Sequence, residues 1–374
     1  MAHFLIAVDT GGTFTDCIAI DPNGQTQTCK VLSNSSLRGS IVDWVDGQAF
    51  YVQNNWPVKR DIFSNYRFEL LNKLANDPLS KNSDFYVKSY DADKKIIVLD
   101  QPLPSDYVGK KASFAITANE EAPILAARLI TQTALNETFP PLTLRLGTTR
   151  GTNALLEEKG AKTAFLTTEG FADILKIGTQ QRPDLFALNI QKSKPLYTES
   201  GEISERLDAK GLVLKSLIVK GLDKKIKHFK AQKIESVAVA LMHAYRNPVH
   251  EQALKTELEK HFTYVSISSE LSQQIKFVPR AETTVVNAYL APILHDYLNK
   301  IMGKLPTDAL RVMTSAGSLV HSSFFMPKDS LLSGPAGGVV GAAAKGRASG
   351  FDQLITFDMG GTSTDVARFD GDFD

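Results

Sequence analysis

The first thirty residues alternate apolar and polar positions in three short runs. Residues 4–9, 14–20 and 26–32 are rich in β-formers, and Asp21-Pro-Asn-Gly24 separates the second run from the third. A period of two is typical of half-buried strands, and Pro, Asn and Gly together favour a turn. The pattern therefore predicts that the chain opens with an antiparallel meander of three strands.

The stretch from about residue 40 to residue 118 has a different character, with short β-type segments and no helical period. The predicted strands here are Gln48–Val52, Asp84–Tyr90, Lys95–Leu99 and Ala112–Thr117. This pattern indicates a small β-rich subdomain inserted at residues 39–120. A peripheral decoration is the simplest interpretation of it.

Beyond residue 120, apolar positions recur at helical spacing and alternate with short apolar runs. Predicted helices are 123–136, 154–159, 170–176, 219–232, 248–262, 279–304 and 333–344, and predicted strands are 142–146, 161–167, 236–242, 265–268 and 310–314. Small residues fill nearly every position of the last helix, which begins at a Gly-Pro turn and allows close backbone packing. The sequence thus predicts an α/β fold of mixed sheets flanked by helices.

One seventeen-residue pattern occurs near both ends of the chain. Leu5–Asp21 and Leu354–Asp370 are identical at nine positions, and each is an apolar run ending in aspartate, a Gly-Gly-Thr turn and a second β-type run. Paired glycines let consecutive backbone amides converge on a phosphate. A single copy could be only a hairpin turn, but two copies with matched aspartates favour a shared nucleotide ligand.

The two hairpins define most of the candidate site. Asp9 and Asp358 end the first strand of each copy, where a carboxylate can hold hydrated Mg²⁺ or orient an attacking water, so both are predicted as catalytic and metal residues. No P-loop pattern occurs, and neither turn is a G-x-G-x-x-G that opens a helix. The predicted ligands of the phosphates are Thr10, Gly11, Gly12, Thr13, Gly360, Gly361, Thr362, Ser363 and Thr364.

Polar residues elsewhere indicate where a substrate could bind. Thr148, Thr149 and Asn153 precede a predicted helix, so they can cap its positive end and leave hydroxyls for an anion or a polar substrate. Arg182 precedes a proline, which favours extended backbone and would hold the guanidinium out on a loop. It could bind a substrate carboxylate or be an ordinary surface arginine.

Composition restricts the other possibilities. The 374 residues suffice for two or three domains, and 42 basic residues nearly balance 41 acidic ones without long runs of one sign. Neither nucleic acid nor a membrane is therefore an expected partner. Cys17 and Cys29 are the only cysteines, and no secretion signal or membrane span occurs, which favours the cytoplasm. The seven histidines have no metal-ligand spacing, which argues against a dedicated zinc site. Cys17 is expected to be a buried small apolar residue.

These motifs resemble those of a known family. The hairpins are similar to the phosphate 1 and phosphate 2 motifs of the actin, sugar kinase and Hsp70 ATPase superfamily, and the chain more narrowly resembles the hydantoinase/5-oxoprolinase family. The segments that carry the resemblance are Asp9–Asp16, Gly147–Gly160, Gln181–Leu185, Thr283–Leu290, Leu332–Gly341 and Asp358–Asp365. The inserted segment departs from that pattern.

The resemblance implies an actin-like, ribonuclease H-like fold with two lobes around a nucleotide cleft. Residues 1–38 would open lobe I, 39–120 would be the insertion, 121–210 would complete the family's N-terminal region, and 211–374 would form a hydantoinase A-like domain. It also places Gly334, Gly337 and Gly338 on a helix at the interdomain hinge, where small residues would permit domain motion.

The implied activity is ATP-dependent opening of a cyclic amide, with ATP and Mg²⁺ as cofactors. The amide oxygen of a lactam or imide would be phosphorylated, and water would then open the ring; 5-oxoproline, giving glutamate, is the leading substrate. The implied partners are a hydantoinase B-like module or subunit and further copies of the chain in an oligomer. A carboxylase subunit of the acetone carboxylase type, a small-molecule kinase and a non-enzymatic ATP switch remain open.

The position of the second repeat adds one more expectation. In the superfamily a Gly-rich adenosine-binding segment follows the second phosphate hairpin, whereas here four residues follow Asp370. The polypeptide is therefore expected to be a fragment or truncated product with weak or no ATPase activity alone.

Overall fold

The computed structural model describes residues 3–71, 84–180, 186, 188–189, 192, 194–359 and 364–372. In chain order the strands are β1 (Phe4–Thr10), β2 (Phe14–Ile20), β3 (Thr26–Leu32), β4 (Ser36–Trp44), β5 (Ala49–Gln53), β6 (Arg67–Leu70), β7 (Phe85–Asp91), β8 (Ile96–Leu99), β9 (Ala112–Thr117), β10 (Leu142–Thr148), β11 (Thr163–Thr168), β12 (Glu199–Leu207), β13 (Val213–Ile218), β14 (Ser236–Ala240), β15 (Tyr264–Ile267), β16 (Leu310–Met313), β17 (Leu319–His321), β18 (Gln353–Met359) and β19 (Thr364–Asp370). The helices are α1 (Ala122–Thr131), α2 (Arg150–Leu156), α3 (Ile174–Ile177), α4 (Leu222–Ala231), α5 (Val249–Leu258), α6 (Ser268–Leu271), α7 (Phe277–Met302) and α8 (Ser333–Ala348).

The chain folds into two compact units that are discontinuous in sequence. Unit one comprises Met1–Arg150, Tyr297–Phe325 and Leu332–Asp374, and unit two comprises Gly151–Asp296 and Met326–Leu331. The domain boundaries expected after residues 38, 120 and 210 do not coincide with this division. They describe regions of the family's sequence pattern and stay predictions. Within the described residues, no helix is both long and apolar enough to cross a membrane.

Unit one is built on a mixed sheet with the strand order β17-β16-β10-β1-β2-β3. The antiparallel meander of β1, β2 and β3 is confirmed, and β10 and β16 join it in parallel. Helix α1 packs against β1, β2 and β3, and its Leu125, Leu129 and Ile130 are buried. One face of the meander therefore lies under this helix, and the other face carries the alternate side chains.

Residues 36–117 of unit one include the strands of a closed barrel with the order β4-β5-β8-β7-β6-β9. Aromatic rings fill its interior; Phe68 stacks on Phe114 with 5.0 Å between ring centroids. The rings leave no room beside Gly39, where an added Cβ would lie 2.6 Å from Phe114 Cζ. The interior is thus a packed core. The sequence pattern missed β4, which this glycine interrupts, and the four-residue β6.

Unit two is an α/β layer structure around the sheet β13-β12-β11-β14-β15. Neighbouring strands from β12 to β15 are parallel, and β13 runs antiparallel at one edge. Helices α4 and α5 bury apolar residues against one face, and the first part of α7 does so against the other. Every residue of β11 and β14 is buried, which is typical of central parallel strands. The sequence pattern does not predict β12, because charged residues interrupt its apolar positions.

Three predicted helices differ most from the observed ones. The helix expected at 123–136 ends at Thr131. The helix expected at 154–159 begins instead at Arg150, because β10 continues to Thr148 and leaves only Thr149 between the strand and the helix. The helix expected at 170–176 is a single turn, α3. Gly160, expected only to end a helix, lies so close to Tyr289 that an added Cβ would overlap its ring at 1.9 Å.

Candidate functional site

The two repeated segments form hairpins with the same strand register. In the first, β1 pairs antiparallel with β2 and Asp9 stands opposite Asp16. In the second, β18 pairs with β19 and Asp358 stands opposite Asp365. Each hairpin therefore places two carboxylates side by side, next to its glycine turn.

The first turn is anchored by its carbonyl groups. Ser33 donates its Oγ hydrogen to the Gly11 carbonyl at 2.8 Å and its backbone amide to the Thr13 carbonyl at 2.9 Å. Gly11 donates its amide to the Phe14 carbonyl, and an added Cβ at Gly11 would lie 3.1 Å from that oxygen. Within the described residues the amides of Gly12 and Thr13 have no acceptor, and both residues are exposed. Two adjacent donors are thus presented as an anion site would require.

The second turn is only partly described. Gly360, Gly361, Thr362 and Ser363 lie outside the described residues, and their predicted phosphate contacts stay predictions. Thr364 begins β19 opposite Met359 and is exposed.

A cavity of about 1050 Å³ in unit one contains Asp9 and Asp358. Burial, together with the nearby carboxylates of Asp16 and then Asp358, raises the pKa of Asp9 above its ordinary value. Asp358 is thus close enough to Asp9 to affect the pKa of the Asp9 carboxyl group. Other lining residues, which include all three predicted hinge glycines, are Asp16, Lys30, Arg145, Gly147, Ser333, Gly334, Gly337 and Gly338.

Two neighbours position the acidic groups. Lys30 of β3 forms an ion pair with Asp16 at 2.9 Å, and both side chains are more than half exposed. Gly147 of β10 lies opposite Asp9, and an added Cβ there would come within 3.0 Å of Asp9 Oδ1. The glycine therefore leaves the space that the Asp9 carboxylate occupies.

Thr10 faces away from Asp9, because successive residues of a strand point to opposite faces. It is buried, and its hydroxyl accepts a hydrogen bond from Tyr297 at 3.4 Å. The Arg150 guanidinium lies 4.0 Å from the centre of the Tyr297 ring and pairs with Glu121 at 3.1 Å. Burial raises the pKa of Tyr297 to about 12. The hydroxyl of Thr10 is thus already engaged, although its predicted phosphate contact remains untested.

The structure describes three of the four predicted substrate residues. Thr148 is buried, and its hydroxyl accepts a hydrogen bond from the Arg150 amide at the start of α2. Thr149 donates its amide and its hydroxyl to the Thr10 carbonyl. Asn153 lies inside α2 in unit two, not before the helix. Arg182 lies outside the described residues, so its role stays a prediction.

The glycines of α8 have different surroundings. An added Cβ would meet no atom within 4 Å at Gly334, Gly338 or Gly341, whereas at Gly346 it would lie 2.5 Å from Leu354 of β18. Close packing therefore explains Gly346. At Gly334 and Gly338 the empty space is that of the cavity.

The donor set is compatible with hydrated Mg²⁺ held jointly with phosphates. Carboxylate oxygens are the ligands that Mg²⁺ prefers, and it commonly takes one or two of them together with waters and substrate phosphates. Among the described residues no group of three potential ligands is close enough to enclose an ion. Asp9 and Asp358 would therefore hold the ion on one side. Burial and then the neighbouring carboxylates raise the pKa of Asp9, and a bound cation would favour its ionised form.

Four residues of the cavity were missed in choosing the site from the sequence. Asp16 could have been found, since it is one of the nine identities of the repeat. Gly147 belongs to a segment that carries the resemblance, but only the pairing of β1 with β10 shows its role. Lys30 and Arg145 have no motif that distinguishes them.

Comparison with known proteins places these features in a family. Residues 5–50 and 103–262 match the hydantoinase/oxoprolinase N-terminal region, and residues 280–374 match the hydantoinase/oxoprolinase domain. 5-Oxoprolinase 1 of Arabidopsis thaliana is 41% identical over 256 residues, which are 62% of this chain and 20% of that protein. 5-Oxoprolinase of Saccharomyces cerevisiae is 38% identical over 294 residues, 67% of this chain and 23% of that protein. The chain thus spans about a fifth of the length of these relatives.

Solved structures share the fold over nearly the whole chain. The nucleotide-free structure of acetone carboxylase aligns with 98% of this chain, and the alignment spans 43% of the acetone carboxylase chain. The TM-score is 0.64 and the sequence identity is 20%. The fold is the α/β actin-like ATPase fold of mixed sheets with flanking helices that the resemblance implied. Since the family patterns together cover more than half of the sequence, this chain belongs to the hydantoinase/oxoprolinase family.

Proposed function

We propose that this chain supplies the ATP-binding part of an enzyme that opens cyclic amides, with 5-oxoproline, hydrolysed to glutamate, as the leading substrate. The observation that carries the proposal is the single cavity that Asp9 and Asp358, one from each repeated hairpin, both line. Similarity to proteins named 5-oxoprolinase, at 38% and 41% identity, favours this substrate over other lactams.

Each hairpin would contribute a distinct part. The amides of Gly12 and Thr13 would bind phosphate oxygens, and the equivalent turn after Met359 would bind them from the second hairpin. When bound, ATP with Mg²⁺ would supply the phosphoryl group that turns the amide oxygen into a leaving group. Lys30 and Arg145 line the same cavity and would offset the added negative charge.

Asp9 is the better placed of the two aspartates to orient the attacking water. Burial and neighbouring carboxylates raise its pKa, and a carboxylate with a higher pKa accepts a proton more readily. Gly147 keeps space for its carboxylate. Asp358, on the other hairpin, would share the metal.

The remaining parts of the proposal concern the cellular context. We propose a cytoplasmic location for the protein, and we expect it to act with a hydantoinase B-like module within an oligomer. One relative supports a partner subunit: the protein named caprolactamase subunit alpha of Pseudomonas jessenii is 30% identical over 243 residues.

ATP hydrolysis by protein purified from its native source, with any associated polypeptides retained, tests the proposal. We expect stimulation by 5-oxoproline, and a loss of about 100-fold or more in Asp9→Asn and Asp358→Asn. Asp106→Asn, an exposed carboxylate in the loop before β9, is the matched control and should leave the rate unchanged.

The alternatives give different results in the same assay. Stimulation by hydantoin alone would keep the reaction class and change the substrate. Stimulation that requires acetone and bicarbonate would replace ring opening by carboxylation. Hydrolysis that none of these compounds stimulates would overturn the enzymatic assignment, and unchanged hydrolysis in either aspartate variant would remove its proposed role.

A further inference from the structure

Two free cysteines face each other across neighbouring strands of unit one. Cys17 of β2 stands directly opposite Cys29 of β3 in the antiparallel register. Directly opposed residues of such strands have Cα atoms roughly 4.5–5.5 Å apart, and disulfides join Cα atoms about 4.4–6.8 Å apart. The spacing expected for this pair therefore falls within the range that a disulfide can span.

The two thiols differ in acidity and access. The interaction between the two thiols lowers the pKa of Cys29, and the same interaction together with burial raises the pKa of Cys17. Cys17 is only 5% exposed, whereas Cys29 is half-buried on β3, the edge strand of the sheet, with its Sγ 3.9 Å from the Ala126 carbonyl of α1. Cys29 is thus suited to react first and Cys17 to react second.

We propose that Cys17 and Cys29 form a modification site for low-molecular-weight disulfides of the glutathione class, and that its product is an internal cross-strand disulfide. The Cys29 thiolate attacks one sulfur of the small disulfide, whose S–S bond breaks to release one thiolate. The Cys17 thiolate then attacks the Cys29 sulfur, breaks the mixed disulfide and releases the second thiolate. The protein thiols lose two electrons and two protons, and the small disulfide is reduced to two thiols.

The bond would lie directly behind the candidate site. Asp16 precedes Cys17 and Lys30 follows Cys29, and their 2.9 Å ion pair is on the opposite face of the same two strands. Oxidation would tie β2 to β3 at this point and hold that ion pair in register. The chemistry of the thiols is independent of which substrate the protein acts on.

Treatment of the purified chain with oxidised glutathione, acid quenching and intact mass spectrometry tests this inference. We expect the native protein to lose two hydrogens without retaining glutathione, and peptide mapping to join Cys17 to Cys29. In Cys17→Val, one glutathione should remain on Cys29; valine is the residue that the second repeat carries at the equivalent position, Val366. In Cys29→Ser, the buried Cys17 should stay unmodified.

Denatured samples provide the control for access. Both variants should take up one glutathione when unfolded, and circular dichroism should show that each is folded under native conditions. Stable glutathione on Cys29 of the native wild-type chain would overturn the inference, because Cys17 would then have failed to displace it. So would the persistence of two free thiols under conditions that modify the denatured chain.

Discussion

At the scale of single residues, the site depends on how three carboxylates are held close together. Asp9 and Asp16 face each other across one hairpin, and Asp358 approaches from the other. Lys30 partly balances Asp16, and Gly147 leaves space for Asp9. Concentrated like charge destabilises the folded protein until a cation or a proton offsets it.

Asp9→Asn should stabilise the protein in the absence of Mg²⁺ and nucleotide. Because the folded state raises the pKa of Asp9, this group's contribution to stability is complete below its ordinary pKa and is lost as the pH rises through the raised value. The variant should therefore melt above wild type at neutral pH, and the difference should shrink on acidification. Thermal melts across this pH range in EDTA check this, with Asp106→Asn as control; a lower melting temperature at neutral pH would contradict it.

The sequence allowed part of this site to be predicted. Asp9 and Asp358 were identified because the repeat preserves them beside the glycines, and the same argument extends to Asp16. The role of Lys30 cannot be predicted from the sequence, because its proximity to Asp16 depends on the pairing of β2 with β3. The hydrogen bond between Tyr297 and Thr10 could not be predicted either, because the two residues are 287 positions apart in the sequence.

At the scale of elements, α8 and the hairpins were predictable because their signals are local. The bounds of β2, β3 and β9 agree with the sequence pattern to the residue. By contrast, β12 and β4 are strands because neighbouring strands pair with them, despite charged or glycine positions. Local propensity does not contain that information.

Two glycines of α8 offer a matched pair for testing the site. Gly338 lines the cavity and Gly341 does not, while an added Cβ would meet no atom within 4 Å at either. Replacing either by alanine should stabilise the protein by roughly 0.5–1 kcal/mol through helix propensity. Only Gly338→Ala should also weaken ATP binding, because its methyl group enters the space of the ligand. Chemical denaturation and calorimetry of ATP binding measure the two effects; equal affinities in the two variants would count against a nucleotide at this face of α8.

At the scale of the whole molecule, charge is nearly balanced, with 42 basic and 41 acidic residues. Binding of a polyanion therefore cannot depend on a general positive field. It must depend on local groups, and the cavity presents Asp9, Asp16 and Asp358 together with Lys30 and Arg145. A metal ion would reconcile phosphates with these carboxylates.

ATP binding should accordingly depend strongly on Mg²⁺. Replacing Mg²⁺ by EDTA should lower the affinity at least about tenfold, or ~1.4 kcal/mol, because phosphate and carboxylate charges then repel each other. In Asp358→Asn the difference between the ATP affinities with Mg²⁺ and with EDTA should be smaller, because one of the repelling charges is removed. Calorimetric titration with and without the metal measures both quantities. Equal affinity under the two conditions would argue against the metal role of these aspartates.

The closed barrel of unit one has a consequence for how this protein can change. Its first strand and its last strand are hydrogen-bonded neighbours, with Ser36 paired to Thr117. The chain therefore leaves the meander after β3 and returns toward α1 at nearly the same point. A module whose two ends meet can be gained, lost or exchanged as a cassette, because a short turn could replace it without stretching the polypeptide between its host elements.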